Sequence, residues 1–166
     1  MHTHNHIIGG TTVPANRLFL VLGAIAAVTA VSMPAIADTA SVVAARSDFF
    51  HGLGKSFKGL HDELKAPSPD LALVRKFTGE LAAATPNLPA QFPAGSGPQP
   101  GVKTEAKAEI WTNAAEFKQD AAALATAASA LNATAQGNDV AAIRTATDNL
   151  GKACKTCHMS FRQENH

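Results

Sequence analysis

The sequence predicts an all-α protein, an antiparallel up-down-up-down four-helix bundle. Three observations carry this. Apolar residues recur at three- and four-residue intervals along four segments; alanine is abundant and tyrosine absent; and no stretch alternates apolar and polar residues as a half-buried strand would. Short joints after the first and third segments make consecutive helices antiparallel neighbours.

The first helix begins near Val43 and carries Val43, Phe50, Phe57 and Leu64 on one stripe, with Leu53 and Leu60 between them. That three-four spacing is the face of a helix packed in a bundle. "APSPD" (66–70) ends it; Ser68 is the expected cap of the next helix and Pro69 suits its first turn. The second helix places Leu71, Val74, Phe77 and Leu81 on its face and stops before Pro86.

"PNLPAQFPAGSGPQPG" (86–101) holds too many prolines and glycines for regular structure. Its Leu88 and Phe92 suggest a loop packed onto the fold, while composition alone allows a mobile connector equally well. The third helix reads as an unbroken seam of Ile110, Ala114, Phe117, Ala121, Leu124, Ala128 and Leu131. "QGND" (136–139) breaks it, with Gly137 a natural stop and Asn138 or Asp139 a cap for the next helix. The fourth helix buries Val140, Ile143, Leu150, Cys154, Cys157 and Phe161. Alanines on the seam let helices approach closely and leave room for a large internal cofactor.

Residues 1–37 read as a cleaved signal peptide. Arg17 precedes the apolar run "LFLVLGAIAAVTAV" (18–31), which leads to Ala35 and Ala37 in the small-x-small pattern of a signal-peptidase site. The run is short for a membrane span, which needs about 20 residues; an uncleaved anchor is the alternative. Cleavage after Ala37 leaves residues 38–166 as one domain in the periplasm. Losing Arg17 leaves as many Lys and Arg as Asp and Glu, so the mature chain has no formal excess charge. No basic patch points to nucleic acid and no polybasic segment to a membrane surface.

The chemistry concentrates in "ACKTCHMSFR" (153–162), which holds the only two cysteines, Cys154 and Cys157, with His158 next to them. C-x-x-C-H is the attachment signature of c-type haem. Thiols at i and i+3 share one helix face and can each bond one porphyrin edge, leaving His158 to reach the iron. A redox dithiol would open a helix after a strand, and zinc would want a second ligand pair; neither context is present. One covalently bound haem c in the bundle core is the expectation.

The group facing the iron's other side decides the function. Met1 and Met33 fall in the leader, and Met159 sits beside His158, where it cannot reach around the ring. His51 lies one residue from the apolar stripe, rotated about 100° towards its flank. His61 lies eleven residues beyond Phe50, and His166 is terminal. Each reads as a surface residue, which leaves the ring of Phe50 as the occupant over the iron.

In these residues the chain resembles the cytochromes c′. "CKTCHMSFR" is similar to that family's C-K-x-C-H-x-x-Y/F-R ending, and "EIWTNAAEFK" (109–118) to its E-I-W-x-x-x-x-F-K segment. Arg46 and Phe50 fall where the family places an arginine and, four residues later, the residue over the iron. That residue is a methionine in low-spin members and an apolar group in five-coordinate ones. The resemblance implies a high-spin periplasmic haem protein that binds NO or CO, often a homodimer through its first two helices. It also raises Trp111 and Phe117 from plain core residues to lining of the haem pocket. Arg46, a charge on an apolar stripe, either pairs with a haem propionate or lies along the surface with only its stem buried. Arg162 lies one turn past His158, either near the proximal face or simply solvated.

Three functions compete. An open iron favours a gas-binding protein. An electron carrier with a six-coordinate low-spin haem and a periplasmic redox partner is the runner-up, and lacks a strong sixth ligand. An enzyme such as a peroxidase would need a distal acid–base group where Phe50 stands, so the sequence reads as non-enzymatic.

Overall fold

The computed structural model describes residues 39–163. The expected signal peptide, and His166, lie outside them. The helices are α1 (Thr39–Leu64), α2 (Leu71–Ala84), α3 (Glu109–Thr112), α4 (Ala114–Thr134) and α5 (Val140–Phe161). With α3 and α4 forming one broken rod, this is the expected four-helix bundle. Packing is most extensive between α4 and α5 and between α1 and α2, with α2 on α4 next; α1 and α5 meet sparsely.

Cross-helix contacts set the antiparallel register. Ser56 Oγ donates to Glu80 Oε2 at 2.6 Å, and one turn on, Gly59 faces Phe77. A Cβ at Gly59 would lie 2.6 Å from Phe77 Cζ, so the close α1–α2 approach requires glycine there. Thr78 Oγ1 donates to Asn132 Oδ1 at 3.0 Å, tying α2 to α4. Small Ala121, Ala128 and Ala135 are buried along α4, which lets its neighbours come close.

Local details decide between or correct the sequence expectations in four places. Asp70 caps α2, not Ser68: its Oδ1 accepts from Ala72 N at 2.8 Å and Leu73 N at 3.3 Å, leaving Pro69 outside the helix. Asp139, of the two candidates, caps α5 through Ala142 N at 3.0 Å. The α4 helix ends at Ala135, before Gly137. The third rod is not continuous: Asn113, at φ −116° and ψ 47°, leaves helical geometry and restarts it as the N-cap residue of α4. Its carbonyl accepts from Phe117 N at 3.1 Å, and its side-chain amide meets the Glu116 carboxylate. Beyond the break Ala114 is exposed, while Phe117 rejoins the buried seam.

Two arginines close the helix ends at one pole of the bundle. Arg144 donates twice to Leu64 O, at 3.0 and 2.8 Å. Arg75 Nε donates to Ala135 O at 3.1 Å. Each satisfies carbonyls that a helix C-terminus leaves without intrahelical partners.

Residues 85–108 pack onto the bundle. Two single 3-10 turns, Thr85–Asn87 and Pro89–Gln91, open the segment, Leu88 is buried, and Phe92 is half-buried against the core. The packed-loop expectation therefore holds. No helix among the described residues is long and apolar enough to cross a membrane.

Candidate functional site

Cys154, Cys157 and His158 lie on the last two turns of α5. Both cysteines are free thiols, half-buried and packed against the edge of the core. Burial pushes both thiols up; for Cys157 the charge of Asp120 and the neighbouring Cys154 add to it, to about 11. His158 is more exposed. Burial, then the charge of Arg162, lower its pKa despite the opposing charge of Glu105. Its imidazole is therefore held neutral, the form that offers a lone pair to a metal.

The end of α5 is fastened by a strap. Lys107 N donates to Phe161 O at 2.9 Å, and Gln163 N to Glu105 O at 2.7 Å. Arg162 Nε pairs with Glu105 Oε2 at 2.7 Å, and Lys107 Nζ reaches Met159 O at 2.9 Å. Of the two readings for Arg162, this geometry gives a half-exposed ion pair close enough to act on His158.

In α1, Phe49, Phe50, Leu53 and Phe57 are only half-buried, at the margin of the core. A groove of about 380 Å³ opens between α1 and α5, with Phe57, His61, Gly151 and Lys155 among its walls. A Cβ on Gly151 would come within 3.4 Å of Phe57 Cζ.

An unbroken run of rings joins the two sides. Phe50 packs edge-on against Phe49 with centroids 5.4 Å apart, and against Phe92 at 5.9 Å. Phe92 meets Trp111 at 6.1 Å and Phe117 at 5.1 Å. Phe117 meets Phe161 at 5.3 Å, one turn from Cys157 and His158. The structure thus gathers Phe50, Trp111 and Phe117 into one cluster with the attachment helix. Sequence reasoning gave Phe92 to the loop packing and missed its place at the centre.

Arg46 is only 5 % exposed, which rules out the surface reading. Its Nε donates to Gln91 O at 2.9 Å, its Nη2 to Ser96 O at 3.0 Å and to Ser96 Oγ, and its Nη1 to Thr104 Oγ1 at 3.4 Å. Its guanidinium lies 4.4 Å from the Phe92 ring centroid, a cation–π contact. Four of the five guanidinium donors are thus used within the chain, leaving one Nη1 hydrogen for an anion such as a propionate.

The sequence expectation for the histidines agrees with the structure: His51 and His61 are exposed. Met159 is 66 % exposed and turned away from the core. Among the described residues, no group of three or more His, Cys, Asp or Glu gathers in a way that could hold a metal ion by itself. The donor set instead fits a haem: two thiols on one face, an imidazole beside them, and an aromatic cluster that reaches the same helix at Phe161. One carboxylate oxygen, Asp120 Oδ2, is buried without a hydrogen-bond partner.

Comparison with known proteins places the chain beside the cytochromes c′, with proteins named cytochrome c-554 and cytochrome c-556 also among the curated relatives. The family described as Cytochrome C′ matches residues 41–162. A cytochrome c′ of Pararhodospirillum photometricum is 41 % identical over 111 residues, 66 % of this chain and 86 % of that one. One from Rhodospirillum rubrum is 32 % identical over 152 residues, covering 89 % and 99 %. Among solved structures, the chain is similar to cytochrome c′ from Thermochromatium tepidum, with a TM-score of 0.70 and 26 % identity over 76 % of this chain and 97 % of that one. It is equally similar to a nitric oxide complex of a cytochrome c′ variant from Alcaligenes xylosoxidans, with a TM-score of 0.70 and 27 % identity over 78 % and 98 %.

Proposed function

This chain belongs to the cytochrome c′ family, and on that premise we propose that it is a periplasmic, five-coordinate, high-spin haem protein that binds NO and CO. The family is one of non-enzymatic haem proteins, and the cysteine pair is consistent with haem c. In this reading Cys154 and Cys157 form the two thioethers, His158 is the axial ligand, and residues 1–37 are the export signal. Haem c would supply an iron able to bind a small diatomic gas.

The observation that carries the proposal is Phe50. It is an aromatic ring with no donor atom, set in an aromatic cluster that reaches the attachment helix; in this reading it stands where a sixth ligand would otherwise bind. Such a ring excludes water and offers a bound gas no hydrogen bond. Dioxygen gains from a hydrogen-bond donor, whereas NO and CO need one less, so an apolar cap selects for the latter pair. Arg46 holds the wall behind that ring, and its spare Nη1 donor is the candidate for a propionate. Burial, with Arg162 second, favours the neutral form of His158 on the proximal side, while Trp111 and Phe117 line the pocket. A nitric oxide complex of a relative supports the choice of gas. A homodimer is part of the proposal on family grounds, one related structure being described by its ligand-controlled dimer dissociation.

Optical and EPR spectra of the holoprotein, ferric and ferrous, with and without NO or CO, test this. A high-spin five-coordinate signal that shifts on adding gas is the expected result. A low-spin six-coordinate spectrum without gas would mean that His51, His61 or a lysine reaches the iron, and electron transfer would become the better function.

A further inference from the structure

The loop residue Phe92 has no role in the reading above, yet its ring is held from several sides. Its face is covered by the Arg46 guanidinium at 4.4 Å. Its edges meet Trp111 and Phe117. The carbonyls on both sides of it are tied down: Gln91 O accepts from Arg46 Nε at 2.9 Å, and Pro93 O accepts from Trp111 Nε1 at 3.1 Å. Four residues on, Ser96 O and Oγ take both hydrogens of Arg46 Nη2. Burying a guanidinium without a carboxylate partner is costly, and burial lowers the Arg46 pKa accordingly. This hydrogen-bond set offsets that cost only while the loop stays in place, so loop and arginine hold each other.

Phe92 presents its free side to Phe50, 5.9 Å away, and Phe49 closes the flank at 5.4 Å. We infer that Phe92 is the specificity-determining buttress of the gas site, a clamped ring that sets how readily Phe50 yields to an incoming ligand. The inference rests on the reading of Phe50 as the cap. A gas can enter under that cap only if Phe50 turns aside, and the space it would turn into is bounded by Phe92. The work of admitting a ligand then falls on the Arg46–Gln91–Ser96 clamp and the Trp111–Pro93 bond, which fasten the loop carrying Phe92 to α1, one turn before Phe50, and to α3. Phe92 is a positioning residue, acting through Phe50.

The test is CO recombination after flash photolysis of the ferrous holoprotein, comparing the wild type with Phe92→Ala, Phe50→Ala and Trp111→Phe. Phe92→Ala should bind CO about tenfold faster, the rate change that corresponds to about 1.4 kcal/mol of barrier. Trp111→Phe keeps the ring, loses the bond to Pro93 and should give a smaller increase. The ferric spin state should stay unchanged in Phe92→Ala, since Phe92 is not proposed to touch the iron. If Phe50→Ala accelerates binding and Phe92→Ala and Trp111→Phe do not, the buttress is overturned and the cap stands. If Phe50→Ala leaves the rate unchanged, the cap reading fails and the buttress with it. Should Phe92→Ala not accumulate as holoprotein, Phe92→Leu serves in the same measurement: acceleration supports the buttress, and an unchanged rate overturns it.

Discussion

The two poles of the bundle are built on opposite terms. At one, Leu60, Val74, Ala128, Leu131, Ala135 and Ile143 are all 0 % exposed, and Arg75 and Arg144 close the helix ends over them. At the other, Phe50, Leu53, Phe57, Cys154 and Cys157 reach the core only in part, and the groove between α1 and α5 runs from Phe57 towards His61 and Thr147. The same heptad stripe runs through both halves of α1, so hydrophobic pattern does not cause the difference. Side-chain chemistry does. Aliphatic residues interdigitate and finish the closed pole, whereas large rings, a buried arginine and two thiols leave the other with apolar surface still facing a gap. A bundle that needed only stability would close both.

That contrast can be broken most severely at the thiols. A Cys154→Ser/Cys157→Ser double variant should lose covalent attachment completely, so that acidified organic solvent extracts all of the haem; retained pigment in the protein fraction would contradict the assignment. Next in size is Leu131→Ala at the closed pole. It should cost about 2–5 kcal/mol in denaturant unfolding while haem attachment stays quantitative. A large change in gas binding by that variant would show that the poles are coupled rather than separate. Smaller again is Asp70→Ala, which removes the α2 cap and should cost about 1 kcal/mol, read as a lower urea midpoint with an unchanged slope.

The smallest effect sharpens the description of the open pole through pH. In the apoprotein the folded Cys157 thiol, raised to about 11, holds its proton more tightly than an unfolded one does. Its contribution to stability is therefore complete below the ordinary thiol pKa of about 8.5 and is lost as pH climbs from there towards about 11. Thermal midpoints of apoprotein should drift down over that window. The Cys157→Ser apoprotein should drift less, and equal slopes would show that the thiol is not perturbed.

Much of this was legible in the sequence because it is local. Cys154, Cys157 and His158 are adjacent, so helical spacing alone puts the thiols on one face. The stripes of α1, α2 and α5 were readable from periodicity, as was the exposure of His51 one residue off its stripe. The features that escaped depend on partners far along the chain. Arg46 looked like a surface charge or a propionate ligand because its acceptors, at Gln91, Ser96 and Thr104, are 45 to 58 residues away. The capping of Leu64 by Arg144 and of Ala135 by Arg75 spans 80 and 60 residues. The break at Asn113 escaped for a different reason. The apolar seam continues through it from Ile110 to Phe117, so periodicity gave no warning, although an asparagine followed at the third position by glutamate is an ordinary helix-start signal.

The strap across the end of α5 has a consequence for motion. Terminal helical turns open easily, because their amides and carbonyls have few partners and exchange with solvent at little cost. His158 is carried on such a turn, four residues before the helix gives way to extended backbone at Arg162. Yet the carbonyls of Phe161 and Met159 and the amide of Gln163 are all engaged by residues 105–107. The turn bearing His158 is thereby joined to the cooperative unit of the bundle rather than left to fray, and the amides of Arg162 and Gln163 should exchange hydrogen far more slowly than an unanchored helix end allows. On the proposed reading, a gas competing with His158 for the iron would meet an imidazole whose backbone does not swing away to make room.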